Sequence, residues 1–257
     1  MIMEGRSIYK GKVEGQIIKC DESISFLGGV DPITSKINTG LCKDREIKDS
    51  IFVFDRGKGS TVGSYVLYSL KYYNVAPKAM ICRKIDEIVA TGAVMSSIPA
   101  IDMIDIDILA DNDYVKINDN KIEIDIEPVE VVTGILKYNG KILILKRSDK
   151  VKTNKNKWAG VSGYIEPNDE PLSRSIIEIE EETGLKKEHL KILNQGNFVY
   201  TRDHETLWKI YTFLWEVDTD TIEIDWEHTE YKWIPVSELD LFDTVPKLKE
   251  VILSMLK

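Results

Sequence analysis

The stretch from Gly163 to Leu185, reading G-Y-I-E-P-N-D-E-P-L-S-R-S-I-I-E-I-E-E-E-T-G-L, limits what this chain can fold into more than any other segment. Glu178, Glu181 and Glu182 stand at i, i+3 and i+4, which on a helix of ~3.6 residues per turn puts them on one face. Like charges crowded in that way repel. A hard divalent cation, Mg²⁺ or Mn²⁺, takes oxygen ligands and keeps waters for phosphate groups, so the cluster points to metal-assisted cleavage of a diphosphate. An acidic run can also be a plain solvated helix face. Here the run is bounded, because Thr183-Gly184-Leu185 closes the helix with a glycine just past its periodic part.

The segment resembles the Nudix box, G-x5-E-x7-R-E-U-x-E-E-x-G-U with U a bulky aliphatic residue, the signature of hydrolases acting on a nucleoside diphosphate linked to another group. Gly163, Glu178, Ile179, Glu181, Glu182, Gly184 and Leu185 fall in register. Asp169 stands in place of the first glutamate. Ile177 stands where the family has an arginine that orients the metal-binding glutamates, and Arg174, one turn earlier, is the nearest substitute, approaching from a different height. The resemblance implies that Glu178, Glu181 and Glu182 hold the ion, that Glu181 and Glu182 serve catalysis, and that the substrate is a small diphosphate. The ion would neutralise the diphosphate and acidify a bound water, whose proton a carboxylate takes. Glu182 is the first choice for that base, with Glu227 and Glu230 of a later acidic loop behind it. Trp226, Tyr200 and Phe198 either stack on a base or pack in the core.

Composition separates two cores. All three cysteines (Cys20, Cys42, Cys82) lie in the first half of the 257 residues and all five tryptophans in the second. No apolar run reaches membrane-spanning length and no secretory signal opens the chain, so a soluble, cytoplasmic protein is expected. Three scattered cysteines fit a reducing compartment with free thiols better than a disulfide framework. His189, His204 and His228 read as surface or packing residues. A net charge of −9 disfavours a nucleic-acid backbone as partner.

Turn residues at 111–113 and 118–120 frame a hairpin of alternating strands, and Glu127-Pro128 ends it, giving domains at 1–126 and 129–257. The second domain opens with a hairpin around Asn139-Gly140, strands 131–138 and 141–146. Further strands are expected at 191–201, 208–217 and 231–234, and a last helix from Val245. With the box helix, these give the α/β/α sandwich that the Nudix resemblance implies.

In the first domain, Ser25-Phe26-Leu27-Gly28-Gly29-Val30-Asp31-Pro32-Ile33-Thr34 and Gly57-Lys58-Gly59-Ser60-Thr61-Val62-Gly63-Ser64 are glycine-rich turns whose backbone N–H groups suit an anion. The second is not a P-loop, because its lysine precedes the serine-glycine segment. With Ala76-Pro77-Lys78, Thr91-Gly92-Ala93 and Ile98-Pro99-Ala100, these turns resemble the swivelling β/β/α domain of the aconitase X group. In archaea that domain is the small subunit of phosphomevalonate dehydratase. The resemblance implies Ser60 as a proton acceptor and substrate contacts from Gly28, Gly29, Asp31, Thr34, Gly59, Thr61 and Ser64. It also implies a separate large subunit carrying an iron–sulfur cluster, for which this chain has no ligand set. Ser35 stands where that family usually has glycine.

The expected architecture is therefore α/β in two domains, a swivelling domain followed by a Nudix sandwich. Three functions follow from it: a metal-dependent pyrophosphohydrolase, a dehydratase small subunit with an accessory Nudix part, or a diphosphate-sensing module. A homo-oligomer is compatible with each. A Nudix-fold isopentenyl diphosphate isomerase is disfavoured, because that type uses an active-site cysteine and none follows Cys82.

Overall fold

The computed structural model describes residues 1–203 and 205–256, so His204 lies outside the described residues. The chain divides into two compact units, Met1–Glu127 and the remainder from Pro128.

The first unit holds β1 (Ile2–Glu4), β2 (Arg6–Tyr9), β3 (Lys12–Cys20), a kinked helical turn α1 (Phe26–Gly29), β4 (Ile51–Phe54), α2 (Gly63–Tyr72), β5 (Ala79–Cys82), α3 (Glu87–Ser96), β6 (Ala100–Asp102), β7 (Tyr114–Asn118) and β8 (Lys121–Ile124). β3 is shared between two sheet halves. Its Lys12–Gln16 half pairs antiparallel with β7, and Ile17–Cys20 pairs parallel with β4. β4, β5 and β6 continue the parallel set. Strands buried on both faces read as unbroken apolar runs, and β4 is one. Phe52 and Phe54 face Leu67, Leu70 and Val89 of the helices, whereas Ile51 and Val53 face Val115 and Ile122 of the terminal hairpin. The layers are therefore β/β/α. Gly92 lets α3 approach α2, since a Cβ there would stand 2.4 Å from Leu67 Cδ1.

The second unit holds β9 (Val129–Tyr138), β10 (Lys141–Arg147), β11 (Trp158–Ala159), β12 (Val161–Tyr164), α4 (Pro171–Thr183), β13 (Leu190–Gln195), β14 (Val199–Asp203), β15 (Thr206–Val217), β16 (His228–Pro235) and α5 (Leu248–Met255). β9 and β15 run parallel at the centre of a mixed sheet. Alternation along the strands splits the core in two. Val132, Leu143, Leu145 and Phe213 meet Ile179 of α4, whereas Ile135, Ile142 and Ile144 meet Leu248, Val251 and Ile252 of α5.

Three expectations need correction. Cys20 and Cys42 are not free thiols: they lie 5.9 Å apart between Cα atoms and are joined by a disulfide. That distance suits a bridge, reached because the loop after α1 folds back on the end of β3. Cys82 alone is free, and burial pushes its thiol up to about 12. The strand expected at 191–201 is interrupted at Gly196, where a Cβ would strike Met255 Sδ and Thr212 Oγ1. β13 and β14 instead pair separately with β15. The last helix starts at Leu248 rather than Val245, because Lys247 adopts a left-handed backbone after Pro246. Among the described residues no helix is long and apolar enough to cross a membrane.

Phe52 of β4 is fully buried against the α2–α3 layer. Replacing it with alanine should cost about 3–5 kcal/mol. The check is loss of amide-exchange protection in β4 and β5 of the full chain.

Candidate active site

The box helix is set by its own ends. Glu170 caps it, its Oε2 accepting from Ser173 N at 2.9 Å, and Pro171 occupies the first turn, where no N–H is needed. Gly184 ends it at φ 72°, its N–H returning to Glu180 O. Between these, Ser175, Glu178, Ile179, Glu182 and Thr183 form the buried face. Two carboxylates thus point inward beside Ile179, and Glu181 sits exposed at the rim.

Glu178 lies flat against β12. A Cβ on Gly163 would stand 1.7 Å from Glu178 Oε1, so this position tolerates no side chain while the carboxylate stays in place. Arg174 holds the same oxygen through Nε at 2.8 Å and Nη2 at 2.5 Å. The guanidinium also reaches Glu181 Oε2 at 3.8 Å and Asp169 Oδ2 at 3.9 Å. Arg174 therefore serves three carboxylates from the i−4 position of Glu178, and its different height on the helix does not prevent this. Ile177 is 42 % exposed, so the box position expected to carry arginine faces solvent. Burial raises the Glu178 pKa, with Glu181 and Glu227 adding to the rise and Arg174 opposing it.

Glu182 is enclosed more deeply. Its Oε1 accepts from Ser162 N at 3.3 Å, and its Oε2 stands 3.7 Å from His228 Nε2. Neither Oε2 nor Nε2 has a hydrogen-bond partner. His228 Nδ1 meets Asp225 Oδ1 at 2.9 Å, which makes Nδ1 the donor in the neutral ring and leaves a lone pair on Nε2 facing Glu182. Two lone pairs face each other unless a proton lies between them. Burial, and then Glu178, push the Glu182 pKa well above the usual range, while burial lowers that of His228 against the upward pull of Asp225. His228 is a packing residue, as its sequence context indicated, but what it packs against is a carboxylate.

A pocket of about 310 Å³ opens beside the helix. Glu178, Glu181 and Glu227 line it together with Arg147 and Arg174. Glu182 lies behind this wall. Glu230 is outside it, on β16 between Lys232 at 3.2 Å and Lys146 at 3.8 Å. The aromatics on the wall are Tyr164 and Trp208, with ring centroids 5.9 Å apart. Trp226 is exposed and Phe198 packs on Tyr200, and neither lines this pocket. No local signal marks Tyr164 or Trp208 as pocket residues, although strand alternation places Trp208 opposite in sense to the buried Leu207. Among the described residues no three His, Cys, Asp or Glu side chains are arranged to hold a metal ion as they lie.

In the first unit the two glycine-rich turns meet at the carboxyl ends of β3 and β4. Ile24 bridges to Gly57, and Lys58 N donates to Ile24 O at 2.9 Å. Gly59, at φ 114°, abuts the Ser25 hydroxyl, which a Cβ would approach to 2.8 Å. Ser60 is exposed, with Oγ 3.4 Å from Val62 N. The Ser64 hydroxyl is turned inward to Thr61 O at 2.8 Å, and Thr61 itself is exposed. Gly28 needs its φ of 76°, and Gly29 O accepts from Asn38 N. Asp31 accepts from Ile33 N and Thr34 N at 2.9 and 2.8 Å, and these bonds lower its pKa. Its carboxylate is thus occupied within its own turn. Ser35 is fully buried at φ 60°, so a serine occupies a left-handed position that glycine would take without strain.

Residues 2–126 match the family model of the aconitase X swivel domain, and residues 128–255 that of the NUDIX domain. The first half is 43 % identical to the phosphomevalonate dehydratase small subunit of Thermococcus sibiricus, covering 99 % of that protein and 49 % of this chain. It is 44 % identical to the aconitase X of Thermococcus kodakaraensis in its holo-form, covering 99 % of that chain and 49 % of this one with a TM-score of 0.48. The second half superposes on the MutT protein of Methanosarcina mazei at 20 % identity, covering 95 % of that chain and 51 % of this one with a TM-score of 0.44. The chain belongs to the aconitase X swivel family and carries a NUDIX domain fused to it.

In this Nudix domain the box geometry yields two checks. Gly163→Ala must displace Glu178 or shift β12, so hydrolysis should be lost while thermal stability falls only modestly, measured side by side on the full chain. Glu182→Gln should stabilise the protein in metal-free buffer. A carboxyl whose pKa is raised by folding contributes stability at low pH and loses it as pH rises through the raised value. The gain in Tm of the variant over wild type should therefore be larger at pH 8 than at pH 5. A gain that shrinks with rising pH would contradict the burial argument.

Proposed function

We propose that the Nudix domain hydrolyses a nucleoside diphosphate linked to a second group, or a related diphosphate, with Mg²⁺ or Mn²⁺. The observation that carries this is the pocket where Glu178, Glu181 and Glu227 share a wall with Arg147 and Arg174. The residues suit a hard cation. Glu178, Glu181 and Glu182 are oxygen donors, Glu182 Oε2 is buried without a partner, and the crowding that raises both buried carboxyls is what a divalent charge relieves. When bound, the metal supplies charge neutralisation and a more acidic water.

The chain's own side chains divide the remaining work. Arg147 meets phosphate oxygens with its guanidinium, and Arg174, whose fork is on Glu178, keeps that carboxylate in place beside them. Glu227, which sequence alone ranks behind Glu182, lines the pocket and takes the proton of the attacking water; Glu182 is buried against His228 and serves as an anchor. The Asp225–His228 pair positions that anchor and the Glu227 loop together, since Asp225 Oδ1 also accepts from Glu227 N at 3.1 Å.

A second activity is supported by the identity with dehydratase small subunits over nearly their whole length. In it the swivel domain joins an aconitase-X-type large subunit that holds an iron–sulfur cluster, and Ser60 accepts a proton. A lone serine is too weak a base for this, so the partner must complete the pocket.

Product release from nucleotide sugars, dinucleotides, nucleoside triphosphates and prenyl diphosphates with Mg²⁺ tests the first reading. Glu227→Gln should lower kcat by about 10²- to 10⁴-fold with little change in KM. No turnover by wild type on any of these would overturn it. For the second, hydro-lyase activity should appear only with a co-expressed large subunit and be lost in Ser60→Ala.

A further inference from the structure

A cavity of about 500 Å³ opens in the first unit at the amino ends of its parallel strands, the end of the sheet opposite Ser60. Val13 at the start of β3, Asp49 before β4, Lys78 before β5 and Pro99 before β6 all line it. Its wall carries Lys10, Lys12, Lys71 and Lys78 against one carboxylate, Asp49. This concentration of positive charge stands out in a chain whose net charge is −9. Among the described residues, Lys10, Lys12 and Lys71 form no ion pair with a carboxylate.

The walls are held in place. Lys78 Nζ donates to Glu14 O at 3.0 Å, and its stem lies over Gly15, where a Cβ would stand 3.4 Å from Lys78 Cδ. The turn bearing Lys10 and Lys12 is drawn onto the floor by Gly11, since a Cβ there would strike Pro99 Cγ at 2.5 Å. Buried Pro77 and Ile98 complete that floor. Lys71 lies in the last turn of α2, where the helix carbonyls favour a cation. That accounts for one lysine. Lys10, Lys12 and Lys78 stand on strand ends and have no such reason to gather.

A concave surface with charges of one sign over apolar walls focuses the field at its centre. Ammonium groups act as compact point charges with freely turning donors, and four of them around one pocket suit the several charged oxygens of a phosphate group. The volume lies within the ~300–1,000 Å³ range of small-molecule sites. We propose that this cavity binds a phosphate-bearing small molecule through Lys10, Lys12, Lys71 and Lys78.

The test is calorimetric titration of the full chain with inorganic pyrophosphate in EDTA, which keeps divalent metal away from the second domain. Wild type should bind saturably, and the exposed double variant Lys10→Ala/Lys12→Ala should bind about tenfold more weakly or worse, with its fold confirmed by circular dichroism. Lys191→Ala, an exposed lysine of β13 in the other domain and outside its pocket, should bind as wild type does. Absence of binding, equal binding by the Lys10→Ala/Lys12→Ala variant, or loss of binding in Lys191→Ala would each overturn the proposal. So would sulfate binding as tightly as pyrophosphate, which would mark a surface attracting any anion.

Discussion

The contact between the Glu178 carboxylate and the bare Cα of Gly163 is what the rest of the Nudix site depends on. It sets how closely the box helix lies on β12, and a single methyl group would prevent it. From that contact the next turn of helix follows. Glu182, four residues on, is carried into the interior against the N–H of Ser162, so that consecutive residues of one strand receive both buried carboxylates. Arg174 then closes the arrangement by binding the same oxygen that rests on Gly163.

Burying two carboxylates side by side works against stability, because burial disfavours their charged forms and raises the pKa of each. Structural needs do not explain it, because Ile179 and its neighbours already fill the apolar core on that side. Perturbed titratable groups of this kind concentrate at functional sites. His228 deepens the point: a ring held by Asp225 with its free nitrogen toward Glu182 leaves two buried polar atoms without partners, an arrangement that a cation at the carboxylates would ease. In the swivel domain, by contrast, the carboxylate and hydroxyl groups of the glycine-rich turns are engaged locally. Asp31 and Ser64 cap their own turns, and Ser60 is left outward at a junction between loops.

Much of this was legible in the sequence because the signals are local. Glycine at 163 and 184, carboxylates at helical spacing and the Asn139-Gly140 turn each have a physical meaning within a few residues. The hidden parts depend on distant neighbours. The sequence offers Arg174 as the nearest substitute for the arginine expected at 177, but that its guanidinium also meets Asp169 and Glu181 is visible only once the loop before the helix is in place. The approach of Cys42 to Cys20 depends on how the loop after α1 folds back. Gly196 breaks a strand because Met255, sixty residues later by approximate count, passes above it. Likewise His228 and Trp208 acquire roles only when β16 and β15 take their places in the sheet.

The central claim is that the inward carboxylates of the box helix form one divalent-cation site. Paramagnetic resonance of Mn²⁺ titrated into the full chain tests it without reference to any substrate. Wild type should bind the ion, and Glu178→Gln and Glu182→Gln should each weaken binding sharply. Mn²⁺ bound as tightly by both variants as by wild type, or by none of the three, would contradict it.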